Sequence, residues 1–132
     1  MFRRFASIIT FLVMGLFATG AFGETRLMMA EEPGCIWCAR WNAQIGPIYD
    51  KTGEGAAAPL RRVDITDPIP KDITLTRPVN FTPTFILLRE GVELARIEGY
   101  PGEDFFWGLL GMMLDDAGID YSKKPDPESG QI

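Results

Sequence analysis

The chain contains no histidine, and only two of its 132 residues are cysteine. A structural zinc site usually takes four Cys or His ligands, so this composition argues strongly against a closed zinc site within one chain. Covalent attachment of a c-type haem requires His directly after the second cysteine. Here Ala39 follows Cys38, which excludes haem attachment.

Positive charge is also scarce. The chain has 13 Lys and Arg against 18 Asp and Glu, which gives a formal net charge of −5. An acidic domain does not indicate a protein that binds nucleic acid or an anionic membrane surface. We therefore expect no nucleic-acid partner.

The first 23 residues have the pattern of a secretory signal peptide. Arg3 and Arg4 precede an uncharged apolar stretch from Phe5 to Phe22, and Ala21-Phe22-Gly23 forms a small-residue cleavage site. We expect cleavage after Gly23, with an uncleaved membrane anchor as the alternative, because such a stretch approaches the length that spans a bilayer. The predicted organisation is a signal peptide over 1–23, one domain over 24–118 and a flexible polar tail over 119–132.

The two cysteines form a Cys-x-x-Cys pair, Cys35 and Cys38, within EEPGCIWCAR. A purely structural disulfide gains most when it closes a long loop, whereas this one would close a ring of four residues. Export places the pair where disulfides persist. Thiol–disulfide exchange is therefore the favoured function, and a structural disulfide is the alternative.

The residues after the first cysteine indicate a helix that gives the two thiols different roles. Pro33-Gly34 interrupts the preceding strand, and an apolar stripe follows at Trp37, Trp41, Ile45 and Ile48. Cys35 would lie at the helix N-terminus, where the N–H groups and the helix dipole stabilise a thiolate. Cys38 would lie one turn further on, placed to attack a mixed disulfide on Cys35. We therefore predict that Cys35 is the nucleophile and Cys38 the resolving thiol.

Side chains next to the cysteines affect the stability of the thiolate and the contacts of the pair. Glu31 and Glu32 would oppose thiolate formation, and we expect Arg40 to offset them in part. Trp37 fits either core packing along the helix stripe or contact with a partner protein.

The rest of the chain alternates between strand-like and helix-like segments. The hydrophobic pattern and the Gly and Pro residues predict strands over 26–31 and 60–66, a hairpin over 84–97 and helices over 35–49 and 103–117. They also predict a loop over 51–60 and an irregular connection over 67–80. Gly46-Pro47 predicts a kink or early stop in the first helix. This order indicates an α/β fold, a mixed sheet covered by helices.

The last helix is apolar on nearly every side. One face is expected to cover the sheet with Phe106, Leu109, Leu110, Met113 and Ala117. This leaves Phe105, Trp107 and Met112 in excess, which fits either a deeply wedged helix or a surface for a partner protein.

These features together resemble the thioredoxin superfamily. The chain shares a Cys-x-x-Cys that opens a helix, Thr82-Pro83 before an apolar strand, then a hairpin, Gly99 and a final helix. The resemblance covers residues 26–117 and implies a thioredoxin-like fold in its short, glutaredoxin-like version, with a mixed four-stranded sheet and flanking helices. It implies a cis peptide bond before Pro83, which would lie against the cysteines, and pairing of the Thr82 backbone with an extended substrate. Ile36, Trp37 and Gly99 would complete the substrate-binding surface.

Two longer segments, CIWCARWNAQIGPIYDKT and RIEGYPGEDFFWGLL, look like the SoxS thioredoxins of sulfur-oxidising bacteria. This resemblance implies a periplasmic thiol reductase of the Sox system that acts on the SoxY sulfur carrier. It also implies an electron supply from a membrane donor of the CcdA type and no bound cofactor.

The chain departs from the thioredoxin pattern at two places. No strand–helix unit precedes the first strand, and Met29 occupies the position of the buried acid six residues before the first cysteine. A water or another carboxylate must therefore accept the proton of the buried thiol, and no motif for glutathione is present.

Other functions fit the same residues. An oxidase or isomerase would use the same cysteines. A Cu(I) carrier would add Met28 or Met29 to them, since Cu(I) prefers sulfur ligands, but only one of two neighbouring strand residues can face the cysteines. A docking protein without redox activity would use Phe105 and Trp107.

Overall fold

The computed structural model describes residues 23–125, which form four strands and four helices. The strands are β1 (Thr25–Glu31), β2 (Leu60–Asp64), β3 (Thr84–Arg89) and β4 (Val92–Glu98), and the helices are α1 (Ile36–Gln44), α2 (Gly46–Tyr49), α3 (Gly53–Ala57) and α4 (Glu103–Asp116). Residues 1–22 of the predicted signal peptide and residues 126–132 of the predicted tail lie outside this range. Within it, no helix is both long and apolar enough to cross a bilayer.

The four strands form one mixed sheet in the order β2-β1-β3-β4. β1 pairs in parallel with β2 and antiparallel with β3, which pairs antiparallel with β4. The two central strands are buried on both faces, and their sequences are accordingly continuous apolar runs at 27–30 and 85–88. The predicted mixed four-stranded sheet is confirmed.

The faces of β1 separate two apolar cores. Leu27 and Met29 lie in the larger core with Cys38 and the buried side chains of α1 and α4. Met28 and Ala30 lie on the opposite face, in a smaller core under the segment between β2 and β3. The resolving cysteine is thus part of the main core.

The helix after the cysteines ends where Gly46-Pro47 predicts. α1 stops at Gln44, Ile45 has φ −106°, and α2 begins with Pro47 in its first turn. The predicted stripe is partly wrong: Trp41 and Ile45 are buried, but Trp37 and Ile48 are about half exposed. Cys38 and Tyr49 are buried instead, so the helical face is rotated toward the thiol.

A short helix, α3, corrects the prediction of a loop between Lys51 and Leu60. The Thr52 hydroxyl oxygen accepts the Gly55 N–H at 3.0 Å and donates to the Tyr49 carbonyl at 2.6 Å. A Cβ on Gly55 would overlap the Tyr49 carbonyl. Gly55 is therefore required by the close approach of α3 to α2, and Gly53 by the close approach of the Tyr121 carbonyl.

Replacing Thr52 with Ala is expected to lower the free energy of unfolding by about 1 kcal/mol, the usual cost of losing an N-cap side chain. Urea unfolding at neutral pH measures this difference. Thr52→Ser retains the hydroxyl and is expected to lose less than half as much. Equal losses in both variants would show that the methyl group, rather than the cap, stabilises α3.

The final helix, α4, matches the predicted span and packs three predicted residues, Phe106, Leu110 and Met113, into the main core. Leu114 is also buried, whereas Leu109 is partly exposed. Of the apolar residues in excess, Trp107 stacks on Tyr49 with ring centroids 6.1 Å apart and planes 10° apart, while Phe105 and Met112 remain exposed.

The chain continues to pack after the predicted domain boundary at 118. Ile119 and Tyr121 lie against the main core, and the Tyr121 hydroxyl donates to Asp115 at 3.2 Å. The packed part of the domain therefore extends at least three residues into the segment predicted as a flexible tail.

Candidate active site

The Cys35–Cys38 pair lies at the junction of β1 and α1. The two residues form a disulfide with Cα atoms 5.2 Å apart. Cys35 is the N-cap of α1, and its Sγ accepts the Cys38 N–H at 3.1 Å. Cys35 is partly exposed, but only 4% of Cys38 is accessible. The arrangement leaves Cys35 open to an incoming disulfide and keeps Cys38 behind it.

A tight turn delivers Cys35 to this position. The Cys35 N–H donates to the Glu32 carbonyl at 3.3 Å across Pro33 and Gly34. Gly34 has φ +78°, close to the value of about +80° that the third residue of a type II turn requires. The Pro-Gly dipeptide therefore fixes Glu32 and Cys35 at the two ends of one turn.

The peptide bond between Thr82 and Pro83 is cis, as the resemblance implied. The Pro83 carbonyl accepts the Gly99 N–H at 2.7 Å, and Gly99 has φ +87°, a conformation that favours glycine. The next residue, Thr84, is buried and donates its hydroxyl to the Phe81 carbonyl at 2.7 Å. These bonds fix the loop before β3 against the end of β4.

One side-chain hydrogen bond connects this loop to the cysteine turn. The Thr82 hydroxyl donates to the Glu32 carboxylate at 2.7 Å. The chain of contacts therefore runs from Cys35 through Glu32 to Thr82-Pro83 and on to Gly99. All of these predicted site residues lie at one end of the sheet.

Exposed apolar side chains surround the turn and the loop. Ile36 is 72% exposed, Trp37 is 49% exposed, and Phe81, just before Thr82, is 61% exposed. The Arg40 guanidinium lies over the Trp37 ring at 4.9 Å from its centroid. Trp37 is thus a surface residue rather than part of the core, and its contact with a partner protein stays a prediction. Sequence reasoning missed Phe81, although its place beside Thr82-Pro83 was available as a signal.

The two glutamates near Cys35 have different partners. Glu31 pairs with Arg62 at 2.7 Å, and Arg62 also donates to Asn42 of α1 at 2.8 Å. Arg40, which the sequence suggested as the compensating cation, lies on Trp37 instead. Arg62 was missed because β2 reaches Glu31 only through the parallel pairing of two strands that are about 30 residues apart.

Met29 is fully buried in the same core as Cys38, in the position where thioredoxins place an acid. The Arg62 guanidinium approaches its Sδ at 3.7 Å. Met28 faces the other core, so a Cu(I) site would have only Met29 beside the two cysteines. Among residues 23–125, no group of three or more His, Cys, Asp or Glu side chains is placed to hold a metal ion.

A groove of about 490 Å³ opens beside Trp37, between α1 and the start of α4. Tyr100 lines this groove, and its hydroxyl donates to Gln44 at 2.7 Å. Burial raises the pKa of Tyr100, the charge of Glu103 adds to this effect, and Arg40 opposes it. A larger cavity of about 630 Å³ lies at the opposite end of the sheet, lined by side chains such as Arg61 and Asp72 and by no thiol. No cysteine lines the groove either, but the groove borders Trp37, which lies between Cys35 and Cys38 in the sequence, and it is therefore the nearer of the two cavities to the thiols.

No family profile and no curated protein matches the chain. Among solved structures, the chain is similar to the crystal structure of the periplasmic thioredoxin SoxS from Paracoccus pantotrophus in its reduced form. The two sequences are 54% identical over 71% of this chain and 99% of that chain, and the TM-score is 0.70.

Proposed function

Since the chain belongs to the SoxS-type periplasmic thioredoxins of the thioredoxin superfamily, we propose that it reduces a disulfide or mixed disulfide of a periplasmic partner protein. The family makes the chain a periplasmic thiol–disulfide oxidoreductase with a thioredoxin-like fold, as the sequence predicted. The observation that supports the proposal best is the different exposure of the two thiols on one helix turn, with Cys35 accessible and Cys38 buried.

The proposed reaction has two exchange steps. The Cys35 thiolate attacks one sulfur of the partner's disulfide, forms a mixed disulfide and releases the other partner sulfur as a thiolate. Cys38, as its thiolate, then attacks the Cys35 sulfur and expels the remaining partner sulfur, which takes up a proton. Two electrons pass to the partner, and the enzyme ends with the Cys35–Cys38 disulfide. The N–H groups at the start of α1 stabilise the attacking thiolate, and the Cys38 N–H already points at the Cys35 sulfur.

The surface around Cys35 supports recognition of an extended apolar segment. Thr82 would pair through its backbone with the partner strand, in the manner of strand addition. Ile36, Trp37 and Phe81 would contact apolar side chains next to the partner cysteine. Gly99 would admit the strand, since a Cβ at this position would have no neighbour within 4 Å.

Membership in the family supports a protein of the Sox system as the substrate. We propose the SoxY sulfur carrier for this role and a membrane donor of the CcdA type as the source of electrons. A Cys38→Ala variant, added to periplasmic extract, would hold the partner as a mixed disulfide that mass spectrometry identifies. Recovery of proteins outside the Sox system alone would contradict the SoxY assignment.

The equilibrium redox potential tests the direction of the reaction. The protein is titrated against dithiothreitol or glutathione buffers, with alkylation of Cys35 and Cys38 as the readout. A value near or below about −250 mV lies toward the thioredoxin end of the scale and supports a reductase. A value above about −180 mV would instead indicate an oxidase or isomerase.

Trp37→Ala is expected to raise KM for a protein disulfide roughly fivefold with little change in kcat, because the variant loses about 1 kcal/mol of apolar burial on binding. Initial rates at varied substrate concentration separate the two constants. Ile48→Ala is a matched control, because Ile48 is similarly exposed but lies in α2, past the end of α1. An equal increase in KM for Ile48→Ala would argue against a specific role of Trp37.

A further inference from the structure

One residue bonds to both loops of the active site without being a reacting group. The side chain of Glu32 accepts the Thr82 hydroxyl at 2.7 Å, across 50 positions of sequence. Its main-chain carbonyl accepts the Cys35 N–H at 3.3 Å. Glu32 therefore contacts the backbone of the proposed nucleophile and the side chain of the proposed substrate-binding residue.

We propose that Glu32 is a positioning residue for thiol–disulfide exchange. Its side chain holds the Thr82-Pro83 loop on the cysteine turn, and its charge makes the Cys35 thiolate less stable. The inference rests on the proposed function in taking Cys35 as the nucleophile and Thr82 as the residue that pairs with substrate.

The electrostatic part follows from the partners of the two glutamates. Glu31 is neutralised by Arg62, whereas within residues 23–125 Glu32 forms no ion pair and its carboxylate bonds to a neutral hydroxyl. The type II turn bonds the Glu32 main chain to the Cys35 N–H, and a negative charge near a thiol disfavours its thiolate. A less stable thiolate destabilises the reduced form, which makes the dithiol a stronger reductant. Glu32 thus moves the redox potential in the direction that a reductase requires.

The geometric part concerns the loop before β3. Thr82 is only half-buried, and its hydroxyl donates to the exposed Glu32 carboxylate. On its other side, Pro83 is held by Gly99 and Thr84 by Phe81. The Thr82 backbone is therefore ordered before the substrate arrives, so binding does not have to order it. Loss of the hydroxyl is expected to weaken substrate binding more than the chemical steps.

Two variants separate charge from anchoring. Glu32→Gln removes the charge but retains an oxygen that accepts the Thr82 hydroxyl. We expect its equilibrium with dithiothreitol to shift threefold to tenfold toward the dithiol form, a rise of about 15 to 30 mV. The pH midpoint of the Cys35 alkylation rate is expected to fall, with KM changed less than twofold. Glu90→Gln, in the hairpin at the far end of the sheet, controls for total charge and is expected to leave the equilibrium and the midpoint unchanged.

Thr82→Val removes the hydroxyl but retains the branched shape and the Glu32 charge. It is expected to raise KM for a protein disulfide threefold to tenfold and to change the dithiothreitol equilibrium less than twofold. Thr82→Ser retains the hydroxyl and is expected to raise KM less than Thr82→Val does. Thermal melting of every variant identifies any general loss of stability.

An unchanged equilibrium and alkylation midpoint in Glu32→Gln would overturn the electrostatic part, and an unchanged KM in Thr82→Val would overturn the geometric part. Both readouts differ from a test of the proposed function. If the parent protein fails to exchange thiols with dithiothreitol, the proposed function itself is wrong. If it exchanges and the variants match it, only the role of Glu32 is wrong.

Discussion

Cys35→Ser is expected to lower the rate of protein disulfide reduction to the rate with dithiothreitol alone, because a serine hydroxyl cannot replace a thiolate as the nucleophile. Cys38→Ala is expected to stop turnover one step later, after the mixed disulfide has formed. Its Cys35 still attacks the partner, but no second thiol releases the mixed disulfide. An insulin reduction assay measures both rates, and mass spectrometry under non-reducing conditions detects the mixed disulfide.

The two variants are controls for each other. Cys38 is buried and Cys35 is not, so Ala rather than Ser at position 38 avoids placing an unpaired hydroxyl in the core. The expected pattern is a mixed disulfide with Cys38→Ala and none with Cys35→Ser. The reverse pattern would show that Cys38 is the nucleophile.

The cysteine chemistry could be predicted from sequence because its signals are local. The Cys-x-x-Cys spacing, the Pro33-Gly34 turn and the helix that follows lie within about 15 residues. The cis bond at Pro83 required the resemblance as well, because a proline before a strand more commonly has a trans bond. The Glu32–Thr82 and Glu31–Arg62 contacts could not be predicted in this way, because each joins residues that only the sheet pairing brings together.

The fold was predictable for a similar reason. β1 and β3 are the central strands, and their continuous apolar runs are strong signals. α3 has five residues, two of them glycine, and it forms because Thr52 caps it and α2 packs against it. Helical periodicity alone also did not determine which side of α1 faces the core, because neighbouring residues on a helix are only about a quarter turn apart. The predicted stripe therefore includes Trp37, whereas the packing of Cys38 and Tyr49 determines which face is buried.

The segment from 67 to 80 shows how an irregular sequence becomes ordered. Thr74 pairs with Val92 at the edge of β4, and the Glu93 carboxylate accepts the Thr76 N–H at 2.8 Å. Arg96 pairs with Glu93 at 2.6 Å and donates to the carbonyls of Arg77 and Pro78. Polar groups of β4 therefore satisfy the backbone of a segment that has no regular structure of its own.

Glu93 and Arg96 meet because β4 contains a bulge. Residues three apart on a regular strand face opposite sides, but Leu88 pairs with Glu93 where Leu87 pairs with Ala95. The extra residue, Leu94, brings both charged side chains to the side of the irregular segment. Both are almost fully buried, so the pair is sensitive to the loss of either charge.

Glu93→Gln is expected to lower the free energy of unfolding by about 3 kcal/mol, the lower end of the range for breaking a buried ion pair, because the buried Arg96 charge then keeps only the more distant Glu98 carboxylate, 3.8 Å away. A loss of this size is a large part of the usual total of about 5 to 15 kcal/mol. Urea unfolding at pH 7 measures it. Glu90→Gln, at an exposed turn, is the control and is expected to change stability by less than about 0.5 kcal/mol.

The Glu93–Arg96 pair also predicts how the difference in unfolding free energy between the parent protein and Glu93→Gln depends on pH. Burial alone would raise the pKa of Glu93, but the hydrogen bonds from Arg96 and Thr76 outweigh burial and hold this pKa below its ordinary value. A carboxylate with a lowered folded-state pKa stabilises the protein fully above its unfolded pKa of about 4.3, and the stabilisation is lost as the pH falls through the folded value. The difference in unfolding free energy between parent and Glu93→Gln should therefore be constant from pH 7 to about pH 5 and become smaller below about pH 4. A difference that stays constant down to pH 3 would mean that Glu93 acts through its shape and hydrogen bonds, rather than through its charge.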